Sequence, residues 1–133
     1  MAASTSPVFV DTPKCWIGRA TVTNTNRDGT GTVATIVTPG ADGSLIEGIE
    51  VAAESTTASA CMVNLFLSND SGTTWRFWRS VQLAAITPSA TVDTAQGSVE
   101  TTYLPLALAS TQYLGAAATI SGNFTIIARG GDY

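Results

Sequence analysis

Short apolar or alternating runs separated by turn-forming residues fill this chain, and no helical period is sustained anywhere along it. Cys15 to Thr25 (CWIGRATVTNT) alternates loosely and predicts a strand, ended by the turn Asn26-Arg27-Asp28-Gly29-Thr30-Gly31. Thr32 to Thr38 is short and β-branched, and a second turn follows over Pro39-Gly40-Ala41-Asp42-Gly43. Leu45 to Glu54 predicts a strand in which Gly48 marks a bulge. Ala60–Ser68 and Thr74–Leu83 flank Asn69-Asp70-Ser71-Gly72, a strong signal for a hairpin. Ala84 to Thr102 is rich in Ser, Thr and Ala, carries Pro88, and reads as a long irregular segment. Tyr103 to Leu108 is a short strand that Pro105 confines to an edge or end. Gln112–Thr119 and Asn123–Arg129 predict a final hairpin about Ile120-Ser121-Gly122. About eight short antiparallel strands predict an all-β sandwich of the jelly-roll type.

Residues 1–14 read as an N-terminal arm and 15–133 as one sandwich domain. The arm is small and polar and is interrupted by Pro7 and Pro13. It reads either as a free tail or, through its apolar triplet Val8-Phe9-Val10, as an arm docked on a neighbouring subunit. Side chains alternate along a strand, so the central hairpin can be divided into faces. Cys61, Val63, Leu65 and Leu67, with Trp75, Phe77, Val81 and Leu83, fall on the expected core face. Arg79 shares that face and needs a partner, because a buried unpaired charge is costly. Met62, Asn64, Phe66 and Ser68, with Arg76, Trp78, Ser80 and Gln82, fall on the other. Met62, Phe66, Arg76 and Trp78 therefore either form a candidate interface, of the composition enriched at binding hot spots, or are covered by a loop or the N-terminal arm of the same chain.

Composition narrows the function. Charged residues make up 12 % of the chain, about half the usual share, and the net charge is −4 with no histidine and Lys14 as the sole lysine. A nucleic-acid binder needs a basic stripe, which is missing. No apolar run approaches the roughly 20 residues that span a bilayer. The first residues, Met-Ala-Ala-Ser-Thr-Ser-Pro, carry no positive n-region or hydrophobic stretch, so synthesis and folding in a cytoplasm are expected. Cys15 and Cys61 read as small buried hydrophobes. A disulfide would require adjacent strands, and the expected compartment argues against it. Without histidine, Ser-His-Asp and Cys-His arrangements cannot form, and most acids sit in or beside turns, as Asp28, Asp42 and Asp70 do. Glu47, Glu50 and Glu54 are the one acidic cluster, either a solvated edge or oxygen ligands for Ca²⁺. The sequence calls for no catalytic residue, cofactor or resident metal.

Several runs carry a resemblance. They are ACMVNLFLSND from Ala60, TWRFWRSV from Thr74, TPSAT from Thr87, LPLAL from Leu104, YLGA from Tyr113 and NFTIIARGGDY from Asn123. Over roughly residues 55–133 the chain resembles small virion structural proteins of tailed bacteriophages and prophages, which end in a similar apolar strand followed by Gly-Gly-Asp-aromatic. The resemblance implies a jelly-roll capsid decoration, or cement, protein. Such a protein is a homo-oligomer, in the expected case a trimer, held on the capsid surface of the virion by the major capsid protein. It implies no nucleic-acid or membrane partner. An alternative is a carbohydrate-binding tail-tip or fibre module, with Trp16, Trp78, Tyr103 and Tyr113 as sugar-stacking candidates. A glycan-cleaving enzyme using carboxylates at a subunit interface ranks last.

Overall fold

The computed structural model describes residues 10–133, so Val8 and Phe9 of the predicted arm lie outside the described residues. Nine strands follow in order: β1 (Thr12–Ala20), β2 (Ala34–Val37), β3 (Ser44–Ala53), β4 (Cys61–Ser68), β5 (Arg76–Leu83), β6 (Gln96–Ser98), β7 (Leu106–Leu108), β8 (Tyr113–Ala118) and β9 (Phe124–Asp132). They form two antiparallel sheets packed as a sandwich. Sheet A runs β1-β9-β3, with β6 and β7 side by side along the far edge of β3, and sheet B runs β2-β8-β4-β5. The predicted all-β sandwich is what forms.

The core lies between the sheets and takes one residue in two from each long strand. Ile49, Val51 and Ala53 of β3 and Phe124, Ile126 and Ala128 of β9 are buried against Val63 and Leu65 of β4, Val81 and Leu83 of β5, and Leu114 and Ala116 of β8. Edge strands close the sandwich where side chains are small. Gly18 of β1 lies so close to Ile36 of β2 that a Cβ there would collide with it.

Three sequence expectations change. Residues 112–119 and 123–129 do not pair with each other. β8 is held between β2 and β4, and β9 between β1 and β3, so the turn between them carries the chain from one sheet to the other. A turn signal reports a reversal of direction, and it is silent on whether the two strands share a sheet. Within the segment read as irregular, Gln96–Ser98 pairs with β3, and Ala95 and Val99 are buried. The strand predicted from Tyr103 begins only at Leu106, because Thr101–Tyr103 makes a single 3₁₀ turn.

Candidate interaction surfaces

The outer face of sheet B is where the sequence places the interface, and one bulge redistributes it. β4 and β5 pair from Cys61↔Leu83 through Leu65↔Arg79, and then the register slips, so that Phe66 faces Phe77 and Leu67 faces Arg76. Trp78 is the extra residue. A one-residue slip moves side chains to the opposite face. Trp78, expected outside, therefore packs half-buried against the main core, and Phe77, expected inside, is 41 % exposed on the outer face. Arg76 shares a face with Leu67 and is exposed at the end of the sheet, which separates it from the candidate patch.

Phe66 does lie on the outer face, yet it is fully buried, which removes it from any contact surface. Trp75 leaves the β5 ladder before the strand begins and covers it, forming a second small core with Ala117, Val33 and Tyr113. The lid lies flat because of Gly115, opposite Phe66 on β8, whose missing Cβ would stand 2.6 Å from Val33 and 2.8 Å from the Trp75 ring. The rings of Phe66 and Phe77 meet edge to face, with centroids 6.0 Å apart. Beside them, Asn64 is buried and its Oδ1 accepts a hydrogen bond from the Ser80 hydroxyl at 2.7 Å.

What this face leaves open is smaller and of mixed character. The Arg27 guanidinium lies 5.8 Å from the centre of the Phe77 ring, and its Nη2 is 3.0 Å from the sulfur of half-buried Met62. Arg27 comes from the Asn26–Gly31 turn, and the separation in sequence hides it from strand-face reasoning. Asn24 fixes that turn by donating to the carbonyls of Thr30 and Thr32, both at 3.0 Å. Asp28 caps it too, accepting from the Thr30 hydroxyl and amide, which lowers the Asp28 carboxyl below its ordinary pKa. Of the predicted interface residues among those described, Met62 alone contributes to the exposed patch. Val10 lies at the start of sheet A, against Gly131.

Sheet A presents a second open face, built in rows across strands. Cys15, Arg129 and Gly48 form one row. Ile17, Ile127, Glu50 and Ser98 form the next, followed by Arg19, Thr125, Ala52 and Gln96. Ile17 is 70 % exposed, more than any other large apolar side chain described. Ion pairs cross the strands on either side of it: Arg129–Glu50 at 2.6 Å and Arg19–Glu54 through the guanidinium Nε and Nη2. The hydrogen bonds from Arg19 lower the Glu54 pKa, and Glu54 raises that of Arg19 in turn. Beyond Ile127 the face dips into a shallow hollow of about 380 Å³ lined by Glu50, Ala52, Gln96, Ser98, Thr125 and Ile127.

Glu50 and Glu54 are thus ion-paired, Glu47 is exposed, and no group of three acids, cysteines or histidines that could hold a metal occurs among the described residues. Cys15 is exposed on β1 and Cys61 is buried on β4, in different sheets and both free; alternation along an edge strand turned Cys15 outward. Burial pushes the Cys61 thiol pKa up. Arg79 finds an aromatic partner, its guanidinium 3.6 Å from the centre of the Tyr103 ring. The four aromatics considered for sugar stacking are not gathered into one platform. Trp16 and Trp78 pack on the main core and Tyr113 on the small one, while Tyr103 carries Arg79. No helix among the described residues is long and apolar enough to cross a membrane.

Compared with known protein families, with curated proteins and with solved structures, the chain matches none.

Proposed function

We propose that this chain is a structural subunit of a virion, a decoration protein that binds the outer surface of a phage capsid and stabilises it without catalysing a reaction. The observation that carries the reading is the pair of open sheet faces, each with a large apolar side chain beside charged groups and neither built around an acid-base constellation. A subunit that coats a shell needs one surface for the shell and one for its neighbours. The Arg27–Phe77–Met62 patch supports the first role: a flat, half-exposed aromatic with a cation and a thioether is the composition found at interface hot spots.

The pairing of strands supports a jelly-roll winding. β1 pairs with β9, β2 with β8, β3 with β6 and β7, and β4 with β5, so the chain is a long hairpin of nested partners wrapped into two sheets. The low charge of the chain and the resemblance of residues 55–133 to phage structural proteins point the same way.

The test is to replace the wild-type chain by Phe77→Asp in virions and measure its occupancy on purified particles against the major capsid protein. Phe77 is partly exposed, so the variant is expected to keep its circular dichroism while occupancy falls at least tenfold. Full occupancy of a folded Phe77→Asp chain would remove this patch from the capsid contact.

A further inference from the structure

We propose that the outer face of sheet A is a two-fold interface with a second copy of this chain, in which Ile17 of each copy seats in the hollow of the other. The proposal rests on the reading of the chain as an assembling subunit and adds the surface, the partner and the symmetry.

The strands of this face lie in the order β1, β9, β3, β6. The apolar projection, Ile17, stands on the first strand, and the hollow between β9 and β6 lies at the other side of the same face. A two-fold axis in the plane of the contact, parallel to the strands and between β9 and β3, exchanges β1 with β6 and β9 with β3. Ile17 of one copy then lies over Ser98 at the hollow of the other, and the contact is made twice, as an isologous interface requires.

Charge obeys the same symmetry. The cations Arg19 and Arg129 lie on β1 and β9, and the anions Glu50 and Glu54 on or just beyond β3. The exchange of β9 with β3 brings each Arg129 over Gly48 of the partner, beside the partner's copy of Glu50. Gly48 leaves open space above the sheet at that point, since a Cβ there would have no neighbour within 4 Å. The two Arg129–Glu50 pairs merge into one four-charge cluster across the axis. A face carrying charges of one sign would repel its copy, whereas this one is its own complement. Its extent is adequate: β1, β9 and β3, of nine or ten residues at about 3.3 Å each and about 4.8 Å apart, with the three-residue strands β6 and β7 along the far edge of β3, give a footprint roughly 30 Å by 15 Å. With side-chain relief this approaches the lower range of specific interfaces, about 600 Å² per partner. The dimer is thereby the unit of association, in place of the trimer that the resemblance implies.

Sedimentation equilibrium of the full chain over a range of concentrations tests this. Wild type is expected at twice the chain mass, and Ile17→Asp at the chain mass with an unchanged urea midpoint. Arg129→Glu is expected to dissociate the pair, and Arg129→Glu with Glu50→Arg to restore it, an outcome that general destabilisation would not produce. In a Cys15→Ser background, Ile17→Cys with Ser98→Cys is expected to form a disulfide-linked dimer on mild oxidation. A wild-type monomer, or an Ile17→Asp chain with the wild-type mass, overturns the proposal. Particle occupancy of Ile17→Asp separates the two readings: a monomer still found on particles leaves the capsid role standing, and a wild-type dimer absent from particles refutes that role and keeps the interface.

Discussion

Two phenylalanines that touch across β4 and β5 should differ severalfold in what they contribute. Phe66 is fully buried beneath Trp75, and Phe77 beside it is 41 % exposed. Phe66→Ala removes a ring from a small closed cluster whose walls, Trp75 and the Gly115 strand, have little freedom to collapse, so the upper part of the range for buried aromatics applies, about 3–5 kcal/mol. Unfolding entropy of about 2.1 cal/mol/K per residue gives roughly 0.28 kcal/mol/K for a chain of 133 residues, so Tm should fall by about 11–18 °C. Phe77→Ala forfeits the same edge-to-face contact and little burial, about 1 kcal/mol, or roughly 4 °C. Urea unfolding followed by tryptophan emission measures both, with Trp75 reporting directly on the site. With a urea slope near 2 kcal/mol/M, Phe66→Ala should lower the midpoint by about 1.5–2.5 M and Phe77→Ala by about 0.5 M. Equal costs, or a larger cost for Phe77, would show that Trp75 does not close over Phe66 and that the bulge at Trp78 is misplaced.

Gly115→Ala should cost about 1–3 kcal/mol by forcing Trp75 and Val33 off the sheet, and a red shift in tryptophan emission should accompany the loss; an unchanged midpoint would contradict the contact. Asp70 is held at a pKa of about 2, first by the Thr74 amide and then by the Ser68 and Thr74 hydroxyls. Its folded pKa lies below the ordinary aspartate value, so its contribution is complete above about pH 4 and is lost as pH falls toward 2. Asp70→Asn should accordingly flatten the fall of the urea midpoint between pH 4 and 2, and an identical acid limb in both chains would refute the assignment. In the Ile17→Asp chain a thiol reagent should titrate Cys15 at once and Cys61 only on unfolding; two fast thiols would contradict the burial of Cys61.

Most of the sandwich was legible because strand alternation and turn residues are local signals. The β4–β5 hairpin and the core positions Cys61, Val63, Leu65, Val81 and Leu83 follow from period two and the Asn-Asp-Ser-Gly turn. What the sequence hid was non-local. The bulge at Trp78 comes from fitting two strands together, and no pattern in TWRFWRSV announces it. Its effect was to exchange the expected roles of Phe77 and Trp78. The burial of Phe66 needs Trp75 and Val33, which arrive from two different loops, and the open patch needs Arg27 from a turn 35 residues before Met62. The open face of sheet A was invisible for the same reason: Ile17 and Ile127 are neighbours only because β1 pairs with β9.

The most direct measurement is copy number in purified virions by quantitative mass spectrometry. Hundreds of copies, in a simple ratio to the major capsid protein, are the expected result for a decoration protein. A handful of copies, or none, would contradict the account and place the chain elsewhere than on the shell.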